Sequence, residues 1–151
     1  MTLIEVDVVK AVPSPVAPAF IRGVLEKAIT VPEIAARMPA NSSSVAVRIM
    51  GAAEIRRLNR TFAGEDRATD VLSFAGAGAH IGDLAVSWPA VVRQARTYRH
   101  PLRAELALLC VHGLLHLLGW DHATAVERVE MNRLTVAGLA LSGVKLPARR
   151  L

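Results

Sequence analysis

Two histidines, His112 and His116, interrupt the apolar run Leu106–Leu118, and a third, His122, follows Gly119, Trp120 and Asp121. Burying an unpartnered polar group costs about 1–3 kcal/mol on mutational scales. Two imidazoles in one apolar helix therefore need a reason, and a shared metal ion satisfies both. Residues four apart on a helix share a face, their Cβ atoms about 5–6 Å apart. From there both rings reach one ion over metal–nitrogen bonds of about 2.0–2.1 Å. A helix continued to His122 would turn it off that face, because six steps of about 100° do not return to the starting direction. Gly119 removes the difficulty, since a glycine just past the last helical residue takes the left-handed conformation and reverses the chain. Trp120 then covers the helix end, and His122 swings back toward the pair. Three histidines with an open fourth position is the arrangement of catalytic zinc sites. The alternative, core histidines bonded to carbonyls, accounts for one such residue better than for three.

In the His-Glu-x-x-His pattern of metallopeptidases, the general base directly follows the first histidine. Gly113 stands there instead, which argues against a standard metallopeptidase. Asp121 is placed either to orient a ligand imidazole or to shape the turn through local backbone bonds. Cys110 lies about 200° around the helix from His112 and reads as core packing. As the one cysteine it forms no internal disulfide and fits a reducing cytosol.

Holding such a cluster takes a scaffold, and the flanking patterns supply one. Leu3–Val9 alternates apolar with acidic residues and reads as a strand. Phe20–Ala36 reads as a helix with Pro32 as a potential break, and residues 39–44 as a loop. Ser44–Met50 is a second strand with Val45, Val47 and Ile49 on one face, and Ala52–Asn59 a short helix. Phe62–Ala68 is a loop before a third strand, Thr69–Phe74. Ala75–His80 is a turn before a fourth, Gly82–Ser87. A helix from Trp88 to Tyr98 follows, then one from Pro101 that carries the histidine pair. The last, Thr124–Leu141, opens with Thr124 and Glu127 spaced as a capping box. Strands first and helices last suggest an α+β domain, a small sheet covered by helices.

A length of 151 residues fits one domain, 1–151, with a substantial core. Hydrophobic content of 52% against 21% charged residues excludes a disordered chain. The apolar run is too short to span a bilayer. The N-terminus, with Glu5 and Asp7 and no basic stretch, does not read as a signal peptide. The expectation is a cytoplasmic protein without a membrane partner. A net charge of +5 suggests a polyanionic partner, nucleic acid first.

Beyond the histidine block, Leu58-Asn59, Thr69–Phe74 and Gly82-Asp83-Leu84 stand in an order that resembles the YbeY family of bacterial metal-dependent endoribonucleases, which act in ribosomal RNA maturation. The resemblance spans nearly the whole chain. It implies an α+β fold with a mixed four-stranded sheet and one zinc ion (or another divalent metal) on His112, His116 and His122. It implies hydrolysis of single-stranded RNA in quality control of the small ribosomal subunit and in processing of its RNA ends. Ribosomal RNA and the small subunit would be partners, with ribosomal or assembly proteins as further candidates. The chain departs from the family pattern at Ala63, where an arginine is usual, at Ala75 for proline and at Thr135 for glutamate.

Metal-assisted phosphodiester cleavage needs a cationic surround for the charge that develops at phosphorus. Asp70, Asp121 and Arg60 are the candidate catalytic residues, Arg60 or Arg67 substituting for the arginine missing at Ala63. Arg56, Arg57, Arg67, Ser73, Arg93 and Arg96 are candidates for RNA contact, with Arg99 extending the last group along one helix face. Asp83 is expected either to bond turn backbone or to line the cleft. His80 and His100 sit in loops and read as solvent-exposed; Trp88 and Tyr98 read as core or capping residues. Two other functions remain open: a ribosome-binding assembly factor with a structural metal and weak or no catalysis, and a metal-dependent hydrolase of peptides or small molecules.

Overall fold

Alternating burial defines the strands. In β1 (Ile4–Lys10) Val6 is buried while Glu5 and Asp7 face solvent, and in β2 (Ser43–Met50) Val45, Val47 and Ile49 are buried together. The computed structural model describes residues 4–39 and 42–151; the expected strand start at Leu3 and the loop residues Ala40 and Asn41 lie outside them. With β3 (Val71–Ala75) and β4 (His80–Ser87) the strands form one sheet of order β1-β2-β4-β3. β1, β2 and β4 run parallel and β3 pairs antiparallel with β4, so the sheet is mixed. Parallel neighbours need crossovers. α1 (Pro18–Ala28) and α2 (Pro32–Ala35) join β1 to β2, and α3 (Ala52–Ala63) with β3 separates β2 from β4. α4 (Trp88–Tyr98), α5 (Leu102–Leu117) and α6 (Ala125–Ala140) close the chain. The α+β class and the mixed four-stranded sheet hold, although α1–α3 are interleaved with the strands instead of following them.

The sheet has two covered faces because neighbouring strand residues point opposite ways. Leu84 and Val86 join the main core with Val45, Val47, Leu106, Val111 and Leu114. Ala85 packs the other way, with Met50 and with Ile55 of α3. α5 is apolar around most of its circumference and buried from Ala104 to Val111, as a helix packed on all sides must be. Among the described residues no helix is long and apolar enough to cross a membrane.

Three boundaries differ from the sequence expectation. The helix expected over 20–36 is two, because Pro32 holds Val31 in an extended conformation and restarts the chain as α2. α3 runs on to Ala63 until Gly64, at φ 72°, ends it. β4 begins at His80, so that residue is not in the turn. The capping box of α6 is present, Thr124 and Glu127 each bonding the other's backbone N–H.

Candidate metal centre

The C-terminal end of α5 is built by its own sequence. Gly119 takes φ 100°, its N–H donates to the His116 carbonyl at 3.0 Å, and the Trp120 N–H donates to the Leu115 carbonyl at 3.0 Å. This pair of reversed bonds is the glycine-dependent helix stop. Trp120 is buried over the helix end, with the Arg37 guanidinium 3.7 Å above its ring. Asp121 accepts from the His122 N–H at 2.7 Å. Its carboxylate therefore fixes the turn that delivers the third histidine.

The turn brings three rings together. Ring centroids are 4.7 Å apart for His112–His116, 5.0 Å for His116–His122 and 5.5 Å for His112–His122. One nitrogen from each ring lies within 4.8 Å of the others. The two Nε2 atoms of the helical pair are 3.1 Å apart, close to the spacing that two tetrahedral ligands at about 2.0–2.1 Å from one ion would show. Burial, then the neighbouring His116 and His122, push His112 down to about 4. His116 is lowered too, by burial first and then by His122. Such rings are unprotonated at neutral pH and present lone pairs, the form a metal requires. The donor set fits one divalent ion with three nitrogens. Cys110 is fully buried, its thiol pushed up to about 12 by burial, and stays out of the set as expected.

The histidines line a cleft of about 520 Å³ whose opposite wall is Thr69–Ser73 and Ala75. Asp70 opens β3: one carboxylate oxygen accepts from the Val71 N–H at 2.8 Å and the other from Gln94 Nε2 at 3.4 Å. Ser73 donates to the Gly113 carbonyl at 3.2 Å, tying the cleft wall to the metal helix. The missing glutamate has a packing cause. A Cβ at Gly113 would meet Leu84 Cδ2 at 2.8 Å, so this position faces the sheet, not the cleft.

The other candidates lie elsewhere. Arg56 bonds Asp66 through Nε at 2.8 Å, Arg60 Nη1 is 3.8 Å from the same carboxylate, and Arg67 pairs with Glu65 at 2.9 Å. None of these, nor Arg57, is among the cleft-lining residues. Arg93 and Arg96 are exposed on α4. Arg99 is left-handed at φ 55° and caps α4, so the expected face ends at Arg96. Thr135 is buried and bonds Met131 of its own helix. Asp83 pairs with His80 at 3.1 Å, and His80 also bonds the Ser44 hydroxyl at 2.7 Å. Trp88 packs against the main core.

His100 is a correction. Its side chain is 4% exposed and its Nε2 lies 2.7 Å from the carboxylate of Glu105, itself 0% exposed. The left-handed Arg99 and the extended Pro101 make a tight corner that folds the imidazole inward. Arg150 reaches the same carboxylate from the C-terminal tail, at 2.6 and 2.9 Å. This network escaped the sequence reading; an acid inside the apolar start of α5 was its one local signal.

Residues 11–141 match the family model described as Endoribonuclease YbeY. A protein of that description from Moorella thermoacetica is 42% identical over 125 residues, 74% of this chain and 80% of the relative. One from Chloroflexus aurantiacus is 39% identical over 133 residues, covering 76% and 86%. One from Solibacter usitatus is 53% identical over 86 residues, 57% of each. The solution structure of TM1509 from Thermotoga maritima aligns over 99% of this chain and 100% of its own with a TM-score of 0.57 at 23% identity, a likeness of fold.

Proposed function

This chain belongs to the YbeY endoribonuclease family, and from that premise we propose that it cleaves single-stranded RNA with one zinc ion held by His112, His116 and His122. The observation that carries the reading is the convergence of three imidazoles on one wall of an open cleft, two of them, His112 and His116, held toward the neutral form by burial. A divalent ion there supplies Lewis acidity, lowering the pKa of a water or polarising a phosphoryl oxygen. The protein's own groups do the rest. The cleft is within the range of about 300–1,000 Å³ typical of small-ligand pockets, so it takes a splayed nucleotide and not a duplex. Asp70, held as an acceptor by the Val71 N–H, takes the proton of the attacking hydroxyl, whether from water or the RNA 2′-OH. Ser73 keeps the cleft wall at its distance from α5. Arg93 and Arg96, exposed on α4 without an ion-pair partner among those the described residues provide, bind backbone phosphates. The substrate we assign is ribosomal RNA of the small subunit, in quality control and end maturation in the cytoplasm.

The test is cleavage of a single-stranded RNA by the wild type and by His116→Ala, with the metal content of both determined. Wild-type cleavage at one metal per chain, lost in the variant, supports the reading; equal activity in both sinks it. The second reading, a ribosome-binding assembly factor with a structural metal, is favoured by one observation. Arg60 and Arg67, which would replace the arginine absent at Ala63, are drawn onto Asp66 and Glu65. Ribosome association without cleavage would select it. Ala63→Arg separates the two, raising cleavage if the first holds.

A further inference from the structure

Arg150 does more than neutralise Glu105. Its Nε and Nη2 grip both carboxylate oxygens of Glu105 at 2.9 and 2.6 Å, and Nη2 also donates to Gln94 Oε1 at 3.3 Å. Gln94 Nε2 in turn donates to Asp70 at 3.4 Å, and Asp70 lines the cleft. A guanidinium only donates hydrogen bonds, whereas a side-chain amide has one accepting and one donating end. The arginine therefore claims the amide oxygen and turns the NH₂ group toward Asp70. The second Asp70 oxygen remains an acceptor from the Val71 N–H at 2.8 Å. The guanidinium is itself held in place, 13% exposed, against Glu105 and 4.7 Å from the Tyr98 ring centre.

We propose that Arg150 and Gln94 are positioning residues for the cleft: the C-terminal tail sets the direction of the Gln94 amide, which holds Asp70 as an oriented acceptor facing the histidine cluster. The proposal rests on the reading of Asp70 as the proton acceptor. A role confined to Glu105 would need only the two short bonds and would leave Gln94 free to vary, since the side-chain hydrogen bonds of Gln94 among the described residues run to Arg150 and Asp70.

Gln94→Glu is the decisive variant, because it is isosteric, keeps an acceptor for Arg150 and replaces the donor to Asp70 with a second carboxylate oxygen. Misplaced catalytic groups cost up to about 100-fold in rate. The expected result is a kcat for RNA cleavage lowered about 10- to 100-fold, with KM, zinc per chain and melting temperature close to wild type. In the zinc-free protein, amide exchange by NMR should show the Val71 N–H less protected in Gln94→Glu than in wild type. Arg150→Met should lower both kcat and stability. Arg150→Met with Glu105→Gln, which removes the stranded charge, should recover stability without kcat. Unchanged kcat and unchanged Val71 exchange in Gln94→Glu would overturn the proposal, as would recovery of kcat along with stability in the double variant. If the wild type cleaves no RNA, the functional reading fails on its own, and Val71 exchange still decides the relay.

Discussion

α5 carries polar side chains at both ends, and the two ends treat them in opposite ways. Near its start, Glu105 is wholly buried and takes donors from Arg150 and His100, so the charge is answered inside the protein. At its far end, His112 and His116 meet a third imidazole and, among the described residues, no carboxylate as a hydrogen-bond partner. Their shared tendency is to stay uncharged, and their lone pairs converge on a cleft. A buried polar group is tolerated when satisfied. At the first end the fold satisfies the Glu105 carboxylate; at the second, the imidazole nitrogens are ones that a cation would satisfy. One is therefore read as structure and the other as a binding site, although both lie on the same helix.

The two largest effects should come from the two ends of α5, and the effect at the open end depends on metal. At zinc concentrations 100 times the dissociation constant, binding adds about 2.7 kcal/mol to stability. In a domain of this length that raises the melting temperature by about 5–10 °C. His116→Ala should abolish this rise; a rise of equal size in the variant would show that the metal binds elsewhere. The closed end should respond in the opposite sense. Removing one partner of a buried ion pair costs about 3–5 kcal/mol, so Arg150→Met should unfold earlier in denaturant while keeping its zinc-induced rise. Loss of that rise would mean that the two ends are not separable.

The same contrast explains what the sequence could reveal. The metal end was legible because its parts are local: a four-residue spacing, one glycine and a turn, all within 112–122. The closed end was not, because Arg150 and Glu105 are 45 positions apart and no local pattern pairs them. His100 looked like a loop residue because the corner made by Arg99 and Pro101 is a matter of backbone angles. The ion pairs of the basic cluster at 56–67 were hidden for a related reason. Counting arginines does not show that Asp66 and Glu65 lie within reach. Pro32 carried enough information to mark a break, and the strands were legible through alternation in Val45, Val47 and Ile49.

Within the histidine end of α5, the position that faces the sheet is packing, and Gly113 tests that. A Cβ there would press on Leu84 Cδ2 at 2.8 Å and Cδ1 at 3.3 Å, the flexible ends of one side chain. Overpacking typically costs about 1–3 kcal/mol, and alanine regains about 1 kcal/mol of helix propensity over glycine. Gly113→Ala should therefore destabilise by about 1 kcal/mol in chemical denaturation and leave zinc stoichiometry unchanged. Loss of the metal in this variant would show that the sheet-facing position between the two histidines is part of the site and not a spacer.

The smallest effect belongs to a third treatment of charge, at the surface. Arg56 holds the Asp66 carboxyl below its usual range, chiefly through their hydrogen bond. A depressed carboxyl contributes stability above its unfolded value and loses it as pH falls through the lowered one, so the pair stays formed from neutral pH down past pH 5. Both side chains are more than half exposed, and water and salt screen such pairs. Asp66→Asn should thus leave the melting temperature nearly unchanged at neutral pH. It should release Arg56 and Arg60 and raise the net charge from +5 by one. If these arginines can serve RNA, the variant should bind single-stranded RNA slightly more tightly, and the salt dependence of binding should steepen by up to one phosphate contact, a slope change of about 0.7. An unchanged slope would assign the 56–67 cluster to the surface alone and leave phosphate contact to Arg93 and Arg96 of α4.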